Sequence, residues 1–429
     1  MPRVPLLSRP GPGRPARDPG GRLFYGWIIA GVIAVTWAIS IGPRQSFSIF
    51  LLPFIEDFGA SRSSVAGLFS VHMASYAVGG WGLGILLDRL GPKKVIVAST
   101  AAWAATMAAC SGLGSLWQLY LVYGVAGGIA TSGLAYVPNN ALLSHWFIRY
   151  RGRATGLSQA GVPLGTALFG PLAQLGIGLW GWRSTHVAFG LLVAAIALPL
   201  VVLFLRDDPK ELGLLADGVP APPDAAPADP VSGPAASVAR GLPPGYWAIF
   251  AANLLRGTGM YALMVHQVAY MVDVGFTKIA AASYFSANFV LAVAGGLAAG
   301  LISDRVGRLR TYAGMALLYV MAYASLLLVR GPDQLLLLVL FVLSSGLAAG
   351  GVSPVFAAFL TDRLQGPRLG SLLGLQNIGF GIGATLGPYL AGLLFDAQRS
   401  YVLAFVLAAA GMVASSVLSF RADRVRHAG

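Results

Sequence analysis

Apolar residues in this chain gather into long runs, and the charged residues sit mostly in the short segments between them. A helix needs about 20 mainly apolar residues to cross a bilayer. Twelve runs meet that length, at 25–50, 62–87, 93–112, 116–141, 153–176, 182–205, 244–272, 279–303, 310–330, 334–360, 369–395 and 400–421. Helices are the expected elements, because a membrane barrel would show shorter segments of strict alternation. Six runs precede and six follow a stretch at 206–243 rich in Pro, Ala and Asp, which reads as a linker. The pattern predicts an all-α integral membrane protein with six-helix bundles at 25–205 and 244–421. A cytoplasmic tail is expected at 1–24, a cytoplasmic linker at 206–243 and a second tail at 422–429.

Composition supports this and charge orients it. The chain is 56% hydrophobic and 10% charged, where a soluble protein carries about 25% charged residues. Its 56 glycines suit close helix–helix approach in lipid. Most of the 29 Lys and Arg fall in 1–24, 88–94, 149–153, 206–240, 305–310, 363–368 and 421–426. The alternate loops hold only Arg62, Arg183, Lys278, Arg330 and Arg399. This bias places both termini in the cytoplasm of a cell that carries the protein in its inner or plasma membrane. It also accounts for the net charge of +13 without nucleic acid as a partner. Cys110 is the single cysteine, so no internal disulfide and no cysteine metal site is expected. The first 24 residues are rich in Pro and Arg and have no apolar core before Tyr25, so they read as a tail and not a cleaved signal.

The two halves repeat each other. Gly84-Ile-Leu-Leu-Asp88-Arg89-Leu-Gly91, followed by Lys93 and Lys94, returns as Gly300-Leu-Ile-Ser-Asp304-Arg305-Val-Gly307, followed by Arg308 and Arg310. The segment from Asp57 to Ser70 aligns with Asp273 to Ser286 at the same offset. Gly156, Gln159, Gly161 and Gly165 align with Gly374, Asn377, Gly379 and Gly383, and each set runs on to a Gly-Pro pair. Both halves begin on the same side, which makes this a parallel repeat, and such a repeat in a membrane protein marks a transporter.

These residues carry a family likeness. The chain resembles the major facilitator superfamily over essentially its whole length, on the doubled G-x-x-x-D-R-x-G motif set between runs two and three and between eight and nine. Within it the chain looks like the monocarboxylate porter branch, which includes the oxalate/formate exchangers. Tyr25-Gly26-Trp27 opens run one and Pro43-Arg44 lies late in it, where the monocarboxylate carriers have Pro-Lys. Trp146-Phe147 precedes Arg151-Gly152-Arg153-Ala154, and Gly181-Trp182-Arg183 opens run six. The chain also departs from that branch. Ala292 and Gly296 stand where the animal carriers have Asp and Arg, and run eleven lacks the cation of the oxalate exchangers. The resemblance implies the major facilitator fold and a gating role for Gly84, Asp88, Arg89, Gly91 and Lys93, echoed at Gly300, Asp304, Arg305, Gly307 and Arg308. In it, the first motif ties the halves together when the cytoplasmic side closes. Plain topogenesis accounts for the motif's cations as well, but not for its aspartates.

A charge at mid-bilayer costs about 3 kcal/mol or more, so it tends to face a cavity and serve function. Arg44 and Arg256 are the cations inside the predicted spans, and a guanidinium matches a carboxylate. They are candidates to bind an anionic substrate; the alternative is a structural post against helix carbonyls or aromatic faces. His72 and Asn288 occupy equivalent positions near mid-depth, as substrate ligands or interhelical hydrogen bonds. Tyr136, Gln159, Gln376 and Asn377 are further candidates for substrate contact. All 16 Asp and Glu fall at span ends or in loops. Proton coupling, if present, is therefore expected through His72, His266, Asp57 or Asp273, or through the substrate acid itself.

The expected function is secondary transport of a small organic anion, a monocarboxylate, by alternating access, with proton symport, exchange and uniport all open. A drug or neutral-metabolite exporter is the alternative within transport, and a non-transporting membrane sensor the alternative outside it. No Walker motif supports ATP-driven pumping. An intramembrane enzyme would need paired buried carboxylates or a nucleophile–base pair, which are lacking. The expected partners are the anion, protons and the lipid bilayer, with the protein acting as a monomer and needing no cofactor or metal.

Overall fold

The computed structural model describes residues 23–218, 242–364 and 369–427. Most of the expected N-terminal tail, most of the linker and the last two residues lie outside the described residues. The chain runs as α1 Tyr25–Phe58, α2 Arg62–Leu90, α3 Pro92–Gly112 and α4 Leu116–Trp146. A single stretch, Arg151–Phe204, contains α5 (151–180) and α6 (182–204). The second half is α7 Tyr246–Asp273, α8 Lys278–Val306, α9 Arg308–Leu328, α10 Leu335–Arg363, α11 Leu369–Gln398 and α12 Val402–His427.

Among the described residues, ten stretches are long and apolar enough to cross a membrane. The difference from the twelve expected has two physical sources. α5 and α6 form one unbroken apolar segment that turns back at Gly181, whose φ of 76° suits glycine. α2 has 29 residues, about 43 Å of helix, but Ser, His and Gly dilute its hydropathy. The twelve-helix reading therefore holds.

The repeat sets matching helix ends. Ser61 accepts a hydrogen bond from Ser64 N at the start of α2, and Thr277 does the same for Ala280 N at the start of α8. Each helix ends in a positive-φ glycine, Gly91 at 80° and Gly307 at 100°. Pro43 interrupts α1, and the chain kinks through Ser46, whose Oγ donates to Gly42 O at 3.0 Å.

Packing follows the same symmetry. α1 lies on α5 and α2 on α4; α7 lies on α11 and α8 on α10. The halves meet along α2–α11 and α5–α8. The glycine stripe works within each half. A Cβ on Gly161 or Gly165 would run into the backbone of Ala34 or Ala38 on α1, and one on Gly383 or Gly387 into Leu254 or Thr258 on α7. Gly156 and Gly374 face open space. Gly161, Gly165, Gly383 and Gly387 thus hold helices of one bundle together, whereas a Cβ on Gly170 would meet Ser286 on α8, across the halves.

Overpacking such a contact costs about 1–3 kcal/mol. Gly383→Leu is therefore expected to lower the melting temperature of the detergent-solubilised protein by several degrees, and Gly374→Ala to leave it unchanged. Equal melting temperatures for the two variants would contradict this account of the stripe.

Candidate functional site

A cavity of about 950 Å³ lies between the halves. Its lining comes from both bundles, with Trp37, Arg44 and Tyr76 on one wall and Tyr261, Asn288 and Tyr319 on the other. It extends to Arg151 and Gly152, exposed residues at the start of α5 on the face where α1 also begins.

Arg44 reaches this cavity from α1, just past the Pro43 kink. Its Nη2 donates to Gln45 Oε1 at 3.2 Å, and its guanidinium lies 5.1 Å from the centre of the Tyr76 ring. Nε and Nη1 are buried and have no hydrogen-bond partner. The residue is only 6% exposed.

Arg256 is placed differently. It stands behind the cavity wall, between the rings of Phe356 and Phe380 at 4.9 and 4.4 Å. Nε and Nη2 donate to Asn253 Oδ1 at 3.1 and 2.7 Å, and Nη1 donates to Ser353 Oγ at 2.8 Å. Ser353 and Phe380 face the cavity, so Arg256 presents its charge through them. Its donors meet an amide and a hydroxyl, and its faces meet two aromatic rings.

The other candidates divide. Asn288, Tyr136 and Gln159 line the cavity. His72 does not reach it. Its ring sits in the core of the first half beside Trp103 and Tyr123, with Nδ1 2.9 Å from Tyr123 O and Nε2 3.0 Å from Thr131 Oγ1. Depth was equivalent to that of Asn288, but the helix face differs; Tyr76, one turn later on α2, takes the cavity side. Gln376 is fully buried between α11 and α7, donating to Tyr246 O at 3.3 Å, and Asn377 is exposed outside the cavity. Gln45, Gln267 and the tyrosines 76, 261 and 319 line the cavity without having been singled out. Gln45 and Gln267 carried a signal, being amides inside apolar runs. Tyrosine carries none, because its ring is at home in any apolar wall.

The end opposite Arg151 is closed by contacts between the halves. Arg62 at the start of α2 grips Asp273 at the end of α7 through both nitrogens, at 2.5 and 2.6 Å. Its guanidinium stacks 3.8 Å from the centre of the Phe395 ring. Asp396 accepts from the amides of Arg62 and Ser63 at 3.1 and 2.8 Å, a carboxylate set on a helix N-terminus. Lys278 reaches Glu56 at 2.8 Å, and Ser48 Oγ donates to Val265 O at 2.9 Å. Asp57 pairs with Arg183 inside the first half.

His266 joins this closure from below. Nε2 lies 2.8 Å from Pro388 O, which can only accept, so Nε2 carries the proton. In the neutral ring Nδ1 then accepts from Tyr401 Oη at 2.9 Å, and Tyr401 Oη accepts from Arg62 Nη1 at 2.9 Å. The chain Arg62–Tyr401–His266–Pro388 ties the surface ion pair to the proline of α11.

At the other end the two motifs differ. Arg308 bonds to Ser303, to Asp304 at 2.5 Å and to Asp362 at 3.3 Å, all within the second half. Asp88 and Arg89 are exposed, and among the described residues Asp88 makes no hydrogen bond or ion pair. Lys93 is held by its backbone alone, its N–H donating to Asp207 Oδ1 at 2.7 Å from the start of the linker.

The chain matches the model of the Major Facilitator Superfamily over residues 26–365 and 249–429. It is 29% identical over 402 residues to monocarboxylate transporter 13 of Bos taurus, covering 91% of this chain and 88% of that one. It is 25% identical over 390 residues to the uncharacterized MFS-type transporter YcxA of Bacillus subtilis, covering 87% and 90%. The fold superposes with a TM-score of 0.69 on a bacterial homologue of the human lysosomal transporter Spinster, at 17% identity over 94% of this chain and 97% of that one.

Proposed function

The chain belongs to the major facilitator superfamily and is a membrane transporter, not an enzyme, and from that premise we propose that it carries a small organic monocarboxylate by alternating access. One observation carries the choice of cargo. Arg44 holds two unpartnered guanidinium donors at a cavity wall where, among the described residues, no carboxylate lies. Nε and Nη1 point to different sides of the guanidinium, so an anionic oxygen in the cavity meets one of them, and the positive charge favours it. Arg256 adds a second positive charge behind the same cavity and steadies the anion through the field. The names of the monocarboxylate transporters among the relatives agree with this reading.

The described conformation has the cavity reaching the face of Arg151 while the Arg62–Asp273 side is shut. The positive-inside bias supports reading that open face as cytoplasmic and this conformation as inward-facing. Turnover then requires the Arg62 latch to release and the Asp88 motif to engage. His266 and Asp273 are the proton-coupling candidates that sit in that latch; His72 is sealed in a core and Asp57 pairs away from it.

Three measurements bear on this. Counterflow in proteoliposomes with radiolabelled carboxylates is expected to show exchange of monocarboxylates. Arg44→Gln should lower that exchange about 100-fold, the loss of one charge-assisted hydrogen bond, with normal membrane insertion; exchange at the original rate would refute the anion site. Asp273→Asn should weaken the latch and populate the opposite state. A cysteine placed at Ser48, against a background in which Cys110 is buried, should then react several-fold faster with an impermeant maleimide added from the latch side. Unchanged labelling would remove the latch from the transport cycle.

A further inference from the structure

The cavity presents more than a seat for an anion. On the α1 wall stand the two free donors of Arg44. On the opposite wall Asn288 donates Nδ2 to Gln267 Oε1 at 2.9 Å, and its Oδ1 is buried without a partner. The orientation of this pair is constrained. Gln267 Nε2 points to Met264 O at 3.5 Å, and a carbonyl can only accept. Gln267 therefore turns Oε1 to Asn288, and Asn288 turns Nδ2 to Gln267, leaving Oδ1 as an unmatched acceptor in a residue 4% exposed.

Between these two polar points the wall is soft and apolar. Met260, Tyr261, Met264, Phe289 and Phe380 line it. Thioethers and aromatic rings favour contact with a planar apolar surface. Arg256 offers nothing to a second carboxylate, because Asn253 and Ser353 already take its donors.

We propose that the substrate is a monocarboxylate with a bulky apolar body, an aromatic ring in the simplest case, and a hydrogen-bond donor at its far end. The carboxylate sits on Arg44, the ring against the methionines and aromatics, and the donor on Asn288 Oδ1. A short acid fills the first position and leaves the buried acceptor unmatched. A dicarboxylate sets its second charge against an amide oxygen and an apolar wall. This narrows the anion reading and rests on it.

Uptake of radiolabelled para-hydroxyphenylacetate, phenylacetate, lactate and oxalate into proteoliposomes holding the full chain tests it. Para-hydroxyphenylacetate is expected to show an apparent affinity about five- to tenfold above that of phenylacetate, one hydrogen bond's worth. Both should exceed lactate, and oxalate should not enter. Asn288→Leu should erase the hydroxyl preference while phenylacetate uptake persists. Should that variant fail to assemble, the wild-type order of the four acids decides alone. Lactate or oxalate carried as well as the aryl acids, or a hydroxyl preference that survives Asn288→Leu, overturns the narrowed class and leaves the anion reading standing. Uptake of no anion at all, or uptake indifferent to Arg44→Gln, overturns both.

Discussion

Taking a guanidinium out of water costs several kcal/mol unless a partner answers it, and this protein does so twice without a carboxylate alongside. The ion pairs found among the described residues all use acids at helix ends. Inside the bundle Arg256 is answered by neutral groups, an amide, a hydroxyl and two ring faces. Those partners fix α7, α10 and α11 around one side chain. Arg44 is answered only in part, by Gln45 and the Tyr76 ring. Both arginines are buried alike, and the difference between them lies in which nitrogen atoms have been met.

The scaffold around these charges is symmetric and the chemistry is not. Matched caps at Ser61 and Thr277, matched positive-φ glycines at 91 and 307 and matched glycine contacts on α1 and α7 come from one duplicated plan. The arginines break it, as do His72 and Asn288. These last two share a register position, yet one is enclosed by Trp103 and Tyr123 and the other borders the cavity beside Gln267. A duplicated fold can hold one transport site only if its halves diverge at the wall where they face each other.

This divergence also marks what could be read from the sequence. Helix number and the repeat register follow from long apolar runs and spaced glycines, which leave strong one-dimensional signals. Helix rotation does not. In a soluble helix the polar face reports rotation, but in lipid the outer face is as apolar as the core. His72, Gln376 and Asn377 lie outside the cavity lining, while Tyr76, Tyr261 and Tyr319, which do line it, passed unmarked. The Arg62–Asp273 contact was hidden for another reason: both residues read as loop charges, and only the meeting of α2 with α7 gives them a joint role.

The latch and the cavity must be matched in energy for such a machine to turn over. A protein that spends appreciable time in two states can hold them only a few kcal/mol apart. The closed side here has a bidentate ion pair, a stacked guanidinium, a capped helix and a hydrogen-bond chain ending at Pro388. Exposed ion pairs contribute little singly, about 0–1 kcal/mol, so the closure draws its strength from the stacked and partly buried position of Arg62 rather than from the count of bonds. If the opposite side closes in turn, it must offer a comparable set, and Asp88 and Arg89 are among the charged groups exposed there in this state. What tips the balance has to act on both bundles at once. A ligand held as proposed, by Arg44 on α1 and by Asn288 on α8, would do that, because it would bridge the halves from the open side while the Arg62 contacts resist from the other.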